Sequence, residues 1–140
     1  MDYLTLTKVW YNVKEVKKRT QAQLKKELDK YFSLFIRQKH YKKGCYTCGK
    51  KLHWKEGHCG HFIPRNILIT RFSEENCRFQ CVGCNVFGNG KILDFEDHLV
   101  KELGREKVDA LKASRFKILK VDNAWYEEKI QHYKELVSIE

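Results

Sequence analysis

Cys45-x2-Cys48 and Cys81-x2-Cys84 are two knuckles, each able to aim a pair of thiolates at one tetrahedral ion. Together they supply the four sulfur ligands of a closed, structural Zn2+ site, which can substitute for a small hydrophobic core. The knuckles stand 32 residues apart, more than the roughly 15 to 20 of a simple zinc ribbon. Something further must therefore be built between them. Cys59 and Cys77 are left over from the pairing and read as ordinary buried thiols.

The segment between the knuckles holds the stretch GHCGHFIPR, residues 57 to 65, with His58 and His61 three apart and the only proline of the chain behind them. Hydrolysis of a phosphodiester requires a base to activate water, a cation to carry charge on phosphate and leaving oxygen, and groups that orient both. His61 can serve as a neutral imidazole base. Asn85, directly after the second knuckle, can offer a hard amide oxygen to Mg2+ or a similar ion. Arg65 can grip phosphate oxygens bidentately. His53, His98 and His132 have no supporting motif and read as solvent-facing or capping residues, and Trp54 as packing on the cysteine-rich centre.

The elements that must position these residues follow from pattern and composition. From Asn12 to His40, apolar residues including Val13, Val16, Leu24, Leu28, Phe32 and Ile36 recur at helical intervals among Lys and Arg. Gly44 ends that pattern, and the cysteines, the proline and most of the glycines follow in a turn-rich centre. Helical periodicity returns with Phe95, Leu99 and Leu103 and again from Ala124 to Val137. The fold class expected is α+β with little sheet. A basic helical segment occupies 1–43, a zinc-bound core 44–92, and C-terminal helices packed on that core 93–140.

Lys and Arg outnumber Asp and Glu by 28 to 18, a formal charge of +10 in 140 residues. Such an excess favours a polyanionic partner, with nucleic acid the first candidate. The basic stretch VKKRTQAQLKK, residues 16 to 26, is the sequence-independent contact surface this implies, acting through counterion release. No stretch approaches the ~18 consecutive apolar residues of a spanning helix, and the first residues lack an apolar signal core. An intracellular protein with no membrane contact is expected, which also argues against disulfides.

The order Cys-x2-Cys, Gly-His-Phe, Arg-Phe, Asn, Gln-Cys-x2-Cys-Asn resembles the His-Me finger (HNH, ββα-metal) nucleases, and more closely the NinG/Rap recombination nucleases of lambdoid phages. The likeness runs from YFSLFIRQKH to HLVKELGREKVDALK, about residues 31 to 112. The second knuckle with its asparagine, CVGCN, is also similar to that of phage junction resolvases of the endonuclease VII type. The resemblance implies a zinc-stabilised ββα-metal core: a hairpin whose first strand ends near His61, and a helix beginning around Cys84. By position, His61 matches the general base, Asn85 the metal-binding residue of the helix, and Asn76 the middle asparagine that fixes the loop and orients the base. Many HNH enzymes carry an aspartate just before the base, where this chain has Gly60. The replacement ligand is then His58, Glu74 or Glu75, with His58 favoured, or the metal holds more water and substrate oxygens; an imidazole ligand would favour Mn2+ or another softer ion over Mg2+.

The function expected is a metal-dependent endodeoxyribonuclease acting on branched recombination intermediates such as a Holliday junction or D-loop, in the cytoplasm of a bacterial host. Structural Zn2+, catalytic Mg2+ or Mn2+, and a homodimer built on the helices at 12–40 or 124–137 complete the expectation. The alternative is a non-catalytic zinc-containing module that binds nucleic acid.

Overall fold

The computed structural model describes residues 18–139, so Val13, Val16 and the first part of the basic stretch lie outside the described residues. Helix α1 (Gln21–His40) opens on a capping box in which Thr20 Oγ1 accepts from the Gln23 backbone and the Gln23 side chain accepts from the Thr20 backbone. Arg37, Lys39 and His40 crowd its last turn, where cations complement the helix dipole. Gly44, at φ 82°, then turns the chain so tightly that a Cβ there would lie 2.6 Å from the Gly49 carbonyl oxygen.

Strands β1 (His58–His61) and β2 (Cys77–Gln80) form an antiparallel pair in the register His58 with Gln80, Cys59 with Phe79, Gly60 with Arg78 and His61 with Cys77. A long excursion joins them and contains the single-turn helix α2 (Leu68–Arg71). Three helices follow: α3 (Ile92–Leu103), α4 (Arg105–Ser114) and α5 (Asn123–Leu136). The protein is thus helix-rich with one small sheet. No described helix is long and apolar enough to cross a membrane.

Two apolar cores hold the sheet from either side. Leu24, Leu28, Phe32 and Ile36 of α1 pack against Tyr126, Ile130 and Tyr133 of α5, with Phe72 and Cys77 completing that core. Phe62 and Ile63, at the exit of β1, pack with Phe95, Leu99, Val108 and Leu111 of α3 and α4. The apolar faces of the N-terminal and last helices therefore bury one another, so α5 shares its core with α1 as well as with the centre, while α3 and α4 pack on the centre in the other core. A homodimer built on either helix would use its outer face. The large apolar side chains most exposed beside the second knuckle are Phe87 and Leu93.

The helix expected from around Cys84 does not run on from the knuckle. Gly83–Phe87 form one π-helical turn, closed by Gly88 N–H donating to the Gly83 carbonyl at 2.8 Å. Asn89, Gly90 and Lys91 all have positive φ, which a continuing α-helix of L-residues does not adopt, and regular helix resumes only at Ile92.

Candidate active cleft and metal centre

The four knuckle sulfurs lie within 4.8 Å of one another, with Cys48 Sγ and Cys81 Sγ 3.7 Å apart. Zn–S bonds of about 2.3 Å in a tetrahedron put sulfurs roughly 3.8 Å apart, so this group can hold a metal such as zinc. The first knuckle hooks onto the sheet through Tyr46 N–H to the Phe79 carbonyl, and folds on itself through Cys45 N–H to Lys50 and Gly49 N–H to Cys45. Burial alone would raise the Cys45 thiol. Hydrogen bonds from the Cys81 and Cys48 backbone and from Thr47 outweigh it and bring the thiol down to about 6, whereas burial pushes the neighbouring Cys84 thiol up to about 12.

Strand alternation sends the two histidines of GHCGHFIPR to different neighbours. His58 Nδ1 lies 3.1 Å from the Asn85 side-chain amide, so the hairpin and the π-turn meet at this pair. Glu74 and Glu75, the other candidates for the missing metal ligand, lie elsewhere. Glu74 bonds Lys39 and the Tyr133 hydroxyl, and Glu75 pairs with Lys107. Gly60 has no room for a carboxylate: a Cβ there would stand 2.0 Å from Gln80 Oε1, which lies across it. Gln80 is fully buried, its amide donating to Thr47 Oγ1 and the Gly90 carbonyl.

His61 Nε2 lies 2.9 Å from the Arg71 carbonyl oxygen. A carbonyl only accepts, so Nε2 carries the proton, and in the neutral ring Nδ1 keeps the lone pair. Burial lowers the His61 pKa from the usual imidazole value; the Arg65 and Arg71 charges add to this, against the carbonyls of Arg71 and Cys59. The ring is therefore held neutral at neutral pH.

Asn76 organises the excursion that supplies this carbonyl. It is completely buried; its Oδ1 accepts from Ile63 N–H at 2.7 Å, and its Nδ2 donates to Ile63 O and Thr70 O at 3.0 and 3.1 Å. Arg71 in turn donates through Nε and Nη2 to the two carboxylate oxygens of Asp29 on α1, at 3.0 and 2.6 Å. Arg65 pairs with the same carboxylate at 3.1 Å while its side chain remains more than half exposed.

Both histidines border a cleft of about 540 Å3 between α1 and β1, which is also lined by Lys26, Lys30, Arg37, Lys55, Arg65, Asp29 and Cys59. Arg37 is steadied there by Ser33 Oγ and the Trp54 carbonyl, with its guanidinium 5.5 Å from the Trp54 ring centre. One carboxylate among these cations leaves the groove positive, with Arg65 at its rim. His53 caps the turn at Trp54–Glu56 by accepting from Lys55 N–H.

Several members of this site escape a reading of the sequence. Asp29 and Lys30 look like any charges on a helix face, and Arg37 like a C-terminal helix cation. Outside the cleft, Arg78 is 4% exposed, with its Nη1 on the Glu74, Glu75 and Cys77 carbonyls and its Nε on Glu102. Only the alternation of β2 hints that Arg78 and Gln80 share a face.

The fold and site define a small α+β protein with four clustered cysteines able to hold a metal and a basic, histidine-bearing cleft. The family profile described as bacteriophage lambda NinG protein matches residues 7–139, and the chain belongs to the NinG family. Protein ninG of Escherichia phage lambda is 29% identical over 91 residues, covering 64% of this chain and 44% of that protein. The ninG proteins of Escherichia phage 933W and Enterobacteria phage VT2-Sa match with the same identity and coverage. The chain thus spans less than half the length of the curated relatives it matches. No solved structure matches it.

Proposed function

We propose that this protein is a metal-dependent DNA endonuclease with a His-Me finger active site, acting on branched DNA formed in phage recombination. The observation that carries the reading is His61: a buried imidazole, fixed through Nε2 on the Arg71 carbonyl and kept neutral, at the wall of a cationic cleft whose other histidine touches Asn85.

His61 would take a proton from water through Nδ1, and the hydroxide would attack phosphorus in line, leaving a 5′-phosphate and a 3′-hydroxyl. Asn76 positions the base indirectly, because its hydrogen bonds to Ile63 and Thr70 hold the turn that presents the Arg71 carbonyl. Lys26, Lys30, Lys55 and Arg65 would hold the DNA backbone, with little base readout. Asn85 now donates through its amide nitrogen to His58 Nδ1; were the amide turned to present its oxygen, the pair would offer one oxygen and one imidazole nitrogen, which suits Mn2+ and, with more water ligands, Mg2+. Such an ion, when bound, supplies positive charge at the scissile phosphate and the departing 3′-oxygen. The knuckle zinc would be structural.

The test is nicking of a synthetic four-way junction and a D-loop, against duplex and single-stranded controls, with Mg2+ or Mn2+. Cleavage is expected for the wild type and not for His61→Ala. Cleavage unchanged in that variant would overturn the assignment. Binding without cleavage in any divalent ion would replace it with a zinc-containing binding module. Sedimentation of the protein on a junction reads whether two copies act together.

A further inference from the structure

The leftover cysteines are not separate. Across the hairpin, Cys59 and Cys77 flank His61, and the ligand atoms of these three residues lie within 4.8 Å of one another. Cys77 stands directly opposite His61 in the register, and Cys59 precedes it on the same face of β1. The thiol of Cys77 and Nε2 of His61 also converge on one carbonyl oxygen, that of Arg71, at 3.9 and 2.9 Å. Two thiols and an imidazole thus surround a common centre on the face of the sheet turned toward α1.

From this geometry we infer that Cys59, His61 and Cys77 form a second metal site, selective for a thiophilic ion of the Zn2+ class and distinct from the four-cysteine centre. The ligand chemistry fits. Two thiolates and one neutral imidazole match a Cys2His set, and their two negative charges cancel the ion's, so a neutral unit occupies a largely buried place. Zinc bonds of about 2.3 Å to sulfur and 2.0 Å to nitrogen require the three ligands to draw together by an ångström or so, within the reach of side-chain rotation. On binding, the two thiol protons leave to solvent, and the imidazole would ligate either through the free lone pair of Nδ1 or through Nε2 once its proton has moved to Nδ1 and its bond to the Arg71 carbonyl is released. Cys77 is fully buried and its thiol is pushed well up by that burial, so it remains protonated until metal displaces the proton. An entry path exists, because Cys59 and His61 line the basic cleft. Three protein ligands leave a fourth position, open toward that cleft. Mg2+ prefers oxygen and would not compete.

Occupancy also withdraws His61 from proton transfer. On the function proposed above, Zn2+ would then inhibit cleavage through this site while Mg2+ or Mn2+ supports it. The binding itself rests on geometry alone and is read without substrate, so its failure and failure of the nuclease reading are separable.

The experiment is metal stoichiometry of the full chain, purified under reductant and without oxygen, by elemental analysis after Zn2+ loading and by Co2+ titration followed in the visible. Two ions per chain are expected, the second with thiolate-to-cobalt charge transfer and tetrahedral d–d bands. Cys59→Ser and Cys77→Ser should each reduce the count to one, and His61→Gln should weaken the second ion at least tenfold. Should Cys77→Ser fail to fold, Cys59→Ser at the half-buried position decides alone. One ion per chain in the wild type, a count unmoved by Cys59→Ser, or thiol counting that shows a Cys59–Cys77 disulfide in the reduced preparation would each overturn the site.

Discussion

The four-cysteine centre sits at the Gln80 end of one small hairpin, the histidine cleft runs along β1, and the two are built on different principles. At the centre every ligand comes from a local knuckle, all four protein positions are filled, and the surroundings are turns with little core of their own, Leu52 being the partly buried apolar neighbour. The cleft draws on α1, β1 and the excursion between the strands, and it is open and positive. The first arrangement can stabilise but has no free coordination position for chemistry. The second is an open cleft, where the proposed binding and reaction would take place. A protein this size can separate the two tasks because closing a metal site needs only short-range geometry, whereas a reactive cleft needs groups from several elements held apart.

The largest effect expected is at the centre. Cys81→Ser, or removal of metal by a chelator, should abolish cooperative unfolding, since structural zinc contributes on the order of 10 kcal/mol in small zinc domains. Retention of a sharp thermal transition without metal would break the comparison from that side. His61→Ala tests it from the other: cleavage of a junction should fall about 100-fold or more, as for loss of a general base, with cooperative unfolding retained.

Asn76→Ala lies between the two. It leaves Ile63 N–H, Ile63 O and Thr70 O without their buried partner and should cost about 2–3 kcal/mol in denaturant unfolding. Any residual cleavage should keep the wild-type acid limb, because the base is misplaced rather than removed. That limb should fall below the usual imidazole pKa of about 6.5, since His61 is held below its ordinary value by burial.

The same direction applies to folding stability. His40 is lowered to about 4 by burial and by the Arg78 and Lys39 charges, and His61 is lowered as well. Both are neutral in the folded protein while the unfolded chain takes up protons. Stability should therefore be full above about pH 6.5 and fall as pH drops below it, down to the folded values. A denaturation series from pH 8 to 4 checks the sign. The smallest effect is electrostatic: Lys30→Ala or Lys55→Ala should each reduce the slope of log affinity for DNA against log salt by about 0.9, leaving zinc content unchanged.

Legibility followed chain distance. The knuckles, the helix ending before Gly44 and the helical stretch carrying Phe95, Leu99 and Leu103 could be read from spacing, because each is a local pattern. The π-turn at Gly83–Phe87 could not, since helical periodicity does not reveal that the knuckle underwinds the chain before Asn89 and Lys91 break it. Arg65 read as a phosphate ligand on charge and proximity; its pairing with Asp29, 36 residues away, depends on how α1 crosses the excursion. His58 and His61 looked like neighbours, but only pairing with β2 sorts one toward Asn85 and the other toward Arg71 and Cys77.

By itself, then, the sequence determined that four cysteines can gather one ion, that the chain is basic, and that a histidine stands between the knuckles. These follow from residue type and short spacing. The tertiary structure decided what that histidine faces, why residue 60 must be glycine beneath Gln80, and that two unpaired cysteines share its neighbourhood. Each of those facts depends on strand register and on helices packed across long loops, where a one-residue slip would send every side chain to the other face.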